Sequence, residues 1–285
     1  MRRVLLLALC LTGCRDRSEP PTPPITVYAA ASLARPLATL GDAFREASGV
    51  PLRAELGGSL ELARRITDLG MAPDVLLLAD DEVIASLMPA HVDWYVRFAT
   101  SPLVVAYTTR SPGADSLTGE NWWRMLTRDG VSIGRADSAI APAGRHALRM
   151  LRRASEYYRE PGLSDRLLAR SATRYVRPNA TELAALLEAG EVDFILEYEA
   201  VARQFGFRYV SLPSDLAPAV LYGAAMPRQS ARAADATRFI TFLLDDRGTR
   251  ILRAANMNAL SVPVALGRNI PPEVSAVVRR VVAHD

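Results

Sequence analysis

The chain has 285 residues, with 34 arginines, no lysine and 31 acidic residues, for a formal net charge of +3. So small a charge on a chain of this length, with no aromatic residues interleaved in a basic stripe, argues against a nucleic-acid binder. The two cysteines, Cys10 and Cys14, and three scattered histidines, His91, His146 and His284, leave no disulfide framework and no Cys/His metal cluster.

Read in order, the chain opens with a short cationic start, Arg2-Arg3, and an apolar run from Val4 to Leu9. The run is too short to span a bilayer, which takes about 20 residues. Leu11-Thr12-Gly13-Cys14 then reads as a lipobox, which marks export, cleavage before Cys14 and acylation of its thiol. Residues 1–14 are therefore expected to be a lipoprotein signal peptide, with Cys14 the lipidation site that tethers the mature chain outside the cytoplasmic membrane. Residues 15–24 are polar and end Pro20-Pro21-Thr22-Pro23-Pro24, the composition of an extended linker.

A β-rich run starts at Ile25 and leads through Ala31-Ser32-Leu33 into an amphipathic helix with Leu37, Leu40 and Phe44 on one face, closed by Gly49. Residues 51–56 read as a second strand, Gly57-Gly58-Ser59 opens a second helix that runs to Gly70, and residues 74–79 form a buried-looking strand. Residues 103–107 are another strand, after which a second αβ set follows. It has a strand at 131–134, a long helix from Pro142-Ala143-Gly144 to Tyr158, a helix from Asn179 to Glu188 with Glu182 placed for a capping box, and a strand at 193–198. A return strand at 220–225 and helices over 231–244 and 248–255 complete the pattern.

This alternation predicts an α/β protein with two lobes, each a sheet flanked by helices, and a ligand cleft between them. Lobe one is expected to hold residues 25–107 and 226–285, and lobe two residues 108–225. Ligands in such sheets sit at the carboxyl ends of strands, where Ser32 and Ser59 fall. Both serines start helices, whose exposed amides and positive dipole end attract anions, although each also suits an ordinary N-cap. Gly57-Gly58 lets backbone approach a bound group closely. The Pro142-Ala143-Gly144 and Asn179-Ala180-Thr181 turns offer helix amides from lobe two in the same way. Together these neutral donors suit a small, dehydrated oxyanion. No G-x-S-x-G, P-loop, G-x-G-x-x-G or H-E-x-x-H pattern is present, and the histidines lack a neighbouring acid, so an enzyme is not expected. His146 reads as a surface or lobe-packing residue.

Several segments resemble the molybdate-binding proteins of ABC importers: Ala29-Ala30-Ala31-Ser32-Leu33, Gly57-Gly58-Ser59 and Ala72-Pro73-Asp74-Val75. Residues 93–100 and 103–107, the run 186–194 and Glu197-Tyr198 look more like the molybdate/tungstate-binding branch, and the similarity runs from about Ile25 to about Ala255. The resemblance implies a two-lobed periplasmic-binding fold of the type II class with mixed sheets, and capture of molybdate or tungstate for an ABC permease. By motif, Ser32 and Ser59 would donate hydroxyl and amide hydrogens, Ala143 and Ala180 backbone N–H groups, and Tyr198 its phenol. In that branch a glutamate at the position of Glu197 and an aspartate just before the Pro-x-Gly turn bind the metal centre of the anion. Glu197 is present as a candidate direct ligand, but Ala141 stands where the aspartate would be and Asp137 is out of register. Four-coordinate or incompletely expanded binding is the expectation.

A carboxylate beside a dianion is repulsive, about 4 kcal/mol at 4 Å and an effective dielectric of 20. Glu197 therefore joins the site only by bonding the metal, by holding a proton or through an arginine; otherwise it faces solvent or pairs with an arginine elsewhere. Apart from the metal within the anion, no cofactor or metal is expected, and the chain should be a monomer, free of nucleic acid. Two further readings stay open at this stage: the same fold serving another oxyanion such as sulfate, and a lipoprotein that acts through a membrane partner.

Overall fold

The computed structural model describes residues 22–280, so the lipobox, Cys14 and most of the linker lie outside the described residues. In chain order the elements are β1 (Ile25–Ala30), α1 (Ala34–Ser48), β2 (Leu52–Gly57), α2 (Ser59–Thr67), β3 (Val75–Ala79), α3 (Asp81–Ala85) and β4 (Val92–Ser101). Then come β5 (Leu103–Tyr107), α4 (Trp122–Leu126), β6 (Ile133–Ala136), α5 (Pro142–Tyr158), α6 (Leu163–Arg170), β7 (Val176–Arg177), α7 (Ala180–Ala189), β8 (Phe194–Tyr198), α8 (Glu199–Gln204) and β9 (Arg208–Ser211). The chain ends with β10 (Val220–Pro227), α9 (Ala233–Leu244), α10 (Asp246–Ala254), β11 (Asn258–Gly267), α11 (Pro272–Ser275) and β12 (Arg279–Arg280). Among the described residues no helix is long and apolar enough to cross a membrane.

The strands form a seven-stranded sheet, β12-β11-β4-β10-β3-β1-β2, and a five-stranded sheet, β7-β6-β8-β5-β9. In the large sheet β1 runs parallel to β2 and β3, whereas β10 is antiparallel to β3 and β4. In the small sheet β6 and β8 are parallel and β5 is antiparallel to β8 and β9. Both sheets are thus mixed, as expected for this α/β class.

Sheet pairing moves the expected lobe boundaries. Residues 103–107, assigned to lobe one from sequence, pair with β8 and β9 of the small sheet, and residues 220–225, assigned to lobe two, pair with β3 and β4 of the large one. The first crossing falls at Pro102. Proline has no N–H to continue a ladder, so β4 stops at Ser101 and the chain enters the other sheet two residues later. Both faces of the crossing are tied to α8: Glu199 N–H donates to the Pro102 carbonyl at 2.9 Å and Ala200 N–H to Ser101 Oγ at 3.1 Å.

The amphipathic reading of α1 holds: Leu37, Leu40 and Phe44 are buried, and Gly49 ends the helix with φ 75°, a left-handed geometry suited to glycine. Phe44 packs edge-on against Phe239 of α9, ring centroids 5.2 Å apart. The strands that lead to the cleft, β3 and β8, are buried along their whole length. A central strand covered on both faces reads as a continuous apolar run, and Glu197 interrupts that run in β8.

Candidate anion-binding pocket

A pocket of about 290 Å³ lies at the carboxyl ends of β1, β2, β3, β6 and β8. The large sheet contributes Ala30, Ala31, Ser32, Gly57, Gly58, Ser59 and Ala79, and the small sheet contributes Ala136, Ala141, Pro142, Ala143, Asn179, Ala180, Glu197 and Tyr198. All six binding residues proposed from sequence therefore line one cavity between the two sheets. No arginine is among these residues, and the only ionisable groups are Glu197 and the Tyr198 phenol.

Ser32 lies in the 3-10 turn between β1 and α1 and is 6% exposed. Its Oγ accepts a hydrogen bond from the Tyr222 hydroxyl at 3.1 Å. Ser59 is the first residue of α2, is 1% exposed, and its Oγ accepts from Ala79 N–H at 3.0 Å. A hydroxyl that accepts from the protein keeps its own proton to donate elsewhere, so both serines can offer O–H to a pocket ligand. Neither side chain caps its own helix, and the N-cap reading is set aside for both.

Ala143 is the second residue of α5 and Ala180 the first of α7. First-turn amides have no intrahelical acceptor, and proline at the start of α5 gives up one N–H that would be orphaned in any case. The Asn179 side chain accepts from Glu182 N–H at 3.0 Å, an N-cap, and donates to Glu182 Oε1 at 2.9 Å, a side-chain bond in place of the backbone bond of a full capping box; together they hold the start of α7 in place. The close seating of α5 depends on Gly144: a Cβ there would lie 2.1 Å from the Ala136 carbonyl oxygen.

Glu197 and Tyr198, at the end of β8, are each 1% exposed. Glu197 Oε1 accepts from Tyr198 N–H at 2.8 Å, while Glu197 Oε2 and the Tyr198 hydroxyl are buried with no partner. Buried polar groups are nearly always satisfied by protein or by water, so these two side chains leave an acceptor and a donor free for a small polar guest in the pocket. Burial pushes the Glu197 carboxyl up to about 7, against the smaller opposing effect of the Tyr198 amide. Burial also raises the Tyr198 phenol well above its usual range, with Tyr222 and Glu197 adding to the shift. The phenol is therefore a neutral donor at any ordinary pH. The solvent-facing and arginine-paired readings of Glu197 are excluded by this geometry.

Asp137 does not reach the pocket. Its carboxylate accepts from Ala139 N–H at 2.8 Å within its own loop. His146 packs between the sheets, with Nε2 3.1 Å from Asp80 Oδ2, as a lobe-packing residue would. One feature had no sequence signal: the Ile140 carbonyl accepts from Leu60 N–H at 3.1 Å and Glu61 N–H at 3.3 Å, so a loop of one lobe caps the start of α2 in the other. Among the described residues no group of three or more His, Cys, Asp or Glu side chains could hold a metal ion.

The model of the bacterial extracellular solute-binding protein family matches residues 25–257. The chain is 27% identical to the molybdate/tungstate-binding protein WtpA of Pyrococcus abyssi, over 96% of this chain and 95% of that one. Among solved structures it is similar to the periplasmic molybdate-binding protein of Azotobacter vinelandii, with TM-score 0.68 at 18% identity, covering 82% of this chain and 98% of that one. It is similar also to the sulfate-binding protein SubI of Mycobacterium tuberculosis, with TM-score 0.67 at 16% identity, covering 91% and 93%.

Proposed function

The chain belongs to the bacterial extracellular solute-binding protein family, and on that premise we propose that it captures molybdate or tungstate outside the cytoplasmic membrane and delivers the anion to an ABC importer. The observation that carries this reading is the pair of buried, unpartnered groups, Glu197 Oε2 and the Tyr198 hydroxyl, in a pocket otherwise lined by neutral N–H and O–H donors. Helix N-termini and hydroxyls hold a dehydrated dianion without a fixed cation beside it. The choice of anion is supported by the similarity to a relative named for molybdate and tungstate.

In this mechanism Ser32 and Ser59 donate from the large sheet, and Ala143 N–H, Ala180 N–H and the Tyr198 hydroxyl donate from the small one. An anion that bridges the two groups favours the closed arrangement of the lobes over an open one. Glu197 bears on the choice of anion. An ionised carboxylate repels sulfate, whose sulfur takes no fifth oxygen, whereas the metal of molybdate or tungstate can accept one. With Oε1 engaged by the Tyr198 amide and Ala141 at the other position, the protein can add a single oxygen, from Glu197 Oε2. The lipid anchor on Cys14, the Pro-rich spacer to Pro24 and a monomeric state complete the proposal: a tethered receptor keeps captured anion near its permease.

A sulfate-type reading has one observation in its favour. With the Glu197 carboxyl raised to about 7, its protonated form can donate to any dianion. Calorimetric titration of residues 15–285 with molybdate, tungstate, sulfate and phosphate separates the two. Dissociation constants below about 1 μM, or more than about 8 kcal/mol of binding, are expected for molybdate or tungstate, with sulfate at least about a hundredfold weaker. Equal affinity for sulfate would replace this reading with the second one, and no binding of any oxyanion would remove both.

A further inference from the structure

Asp80 sits one residue beyond the end of β3, in the large lobe, and is 3% exposed. Its Oδ1 caps α3 by accepting from Glu82 N–H at 3.1 Å. Its Oδ2 receives two side chains from α5 of the other lobe: Arg145 Nη2 at 2.9 Å and His146 Nε2 at 3.1 Å. Arg145 and His146 are the fourth and fifth residues of α5, whose second residue is Ala143. None of the three lines the pocket. Resting on the anion-receptor reading above, we infer that Asp80, Arg145 and His146 form a closure latch: positioning residues that draw the first turn of α5 against the large lobe and so bring the Ala143 amide onto the bound anion.

Three independent features support the latch. First, α5 carries the Arg145 cation and no acid near its N-terminus, the wrong sign for the helix dipole. Isolated α5 gains nothing from that arrangement; a carboxylate waiting on the opposite lobe makes it favourable. Second, Asp80 adopts φ 110°, a conformation that costs a non-glycine residue free energy and persists where the surroundings demand it. Here it lets one carboxylate cap α3 and face α5 together. Third, burial alone would raise the Asp80 carboxyl, but the hydrogen bonds and charges of His146 and Arg145 outweigh burial and hold it below its ordinary value. The latch lies close enough to the pocket for the charges of Asp80 and Arg145 to act on the Tyr198 hydroxyl.

Asp80→Asn separates latch from fold, because asparagine has the same size and shape and keeps the Oδ1 cap while losing the charge. From residue 15 onward the chain has no cysteine, so Asp68→Cys and Arg149→Cys, exposed on opposite lobes, take spin labels at those sites alone. Pulsed electron resonance then reads the lobe separation in the ligand-free chain and across a molybdate titration, and stopped flow reads association and release. The expected result is a shift of Asp80→Asn toward longer distances at every molybdate concentration. Release should be ~tenfold faster at an unchanged association rate, because breaking a buried charge pair acts on dissociation. Arg145→Lys should retain most of the closed population, while Arg145→Gln and His146→Ala each lose part of it. The melting temperature of Asp80→Asn should fall less in the ligand-free chain than in the molybdate-loaded one. Identical distance distributions and release rates in Asp80→Asn and the parent would overturn the latch, as would equal destabilisation of the free and loaded chains. Failure of the unlabelled parent to bind molybdate or tungstate would instead strike the anion reading; the ligand-free distances would still decide the latch.

Discussion

Replacing Gly58 by alanine places one methyl group between the lobes. The Gly58 backbone lies at φ −70° and ψ 134°, a region open to alanine, so the substitution causes no strain within its own turn. A Cβ there would stand 2.2 Å from the Ile140 carbonyl oxygen and 2.8 Å from its carbon. Ordinary contact begins at 3.4 Å, so the Ile140 loop must retreat by about 1.2 Å before the atoms are at van der Waals distance. That retreat breaks the bonds from Leu60 and Glu61 N–H, now 3.1 and 3.3 Å long. Two net hydrogen bonds of ~1 kcal/mol each amount to about 2 kcal/mol, or roughly a thirtyfold weaker dissociation constant. Calorimetric titration with molybdate gives the affinity, and a thermal melt of the ligand-free chain gives the control. The melt should be unchanged or slightly higher, since Gly→Ala in a permitted conformation stabilises by about 0.4–1 kcal/mol through the unfolded state. Parental affinity in Gly58→Ala would refute the reasoning, because it would mean that the lobes grip the anion without this contact.

Three further outcomes follow from the pocket. Tyr198→Phe removes a hydroxyl that has no partner in the empty pocket, so melting of the ligand-free chain should hold or rise by about 1 kcal/mol while molybdate binding weakens about tenfold; a loss of ligand-free stability would assign the phenol a structural role. Ser59→Ala should weaken binding and also cost about 1–3 kcal/mol of stability in a denaturant melt, because the buried Ala79 N–H loses its acceptor. Glu197 has a folded-state carboxyl near 7, above its ordinary 4.5, so the empty pocket binds the proton better than the unfolded chain does. Its stabilising effect is complete below about 4.5 and is lost as pH rises through about 7, a swing of roughly 3 kcal/mol. Glu197→Gln should flatten that part of the stability profile and raise ligand-free stability at pH 8; an unchanged profile would show that the carboxyl is not responsible.

The parts of the site that were legible in sequence are those set by local chemistry. A serine after a strand and before a helix, a Gly-Gly turn and an Asn N-cap act within a few residues of themselves, and Ser32, Ser59, Ala143 and Ala180 could be placed by reading along the chain. Glu197 and Tyr198 came from motif resemblance, because a carboxylate at the end of an apolar strand does not by itself distinguish pocket from surface. The contacts that were not legible join residues distant in the chain. Arg145 and Asp80 are 65 positions apart, and the Ile140 carbonyl meets α2 only once two sheets have packed. The sheet assignment of β5 was missed for a similar reason: its apolar run suits either sheet, and the choice is made by Pro102 and by hydrogen bonds from α8. Strand β11 was also missed. It breaks register between Ala259 and Val264 and carries exposed Ser261 and Val262, which blurs the period-two pattern that marks a strand.

The most direct test of the central claim is the anomalous scattering of tungsten in a crystal of residues 15–285 grown with tungstate. The account predicts one dominant peak between the lobes, with its oxygens within hydrogen-bond reach of Ser32 and Ser59 Oγ, the Ala143 and Ala180 amides and the Tyr198 hydroxyl, and with Glu197 Oε2 facing the metal. A dominant peak elsewhere, with the pocket holding only water, would contradict it.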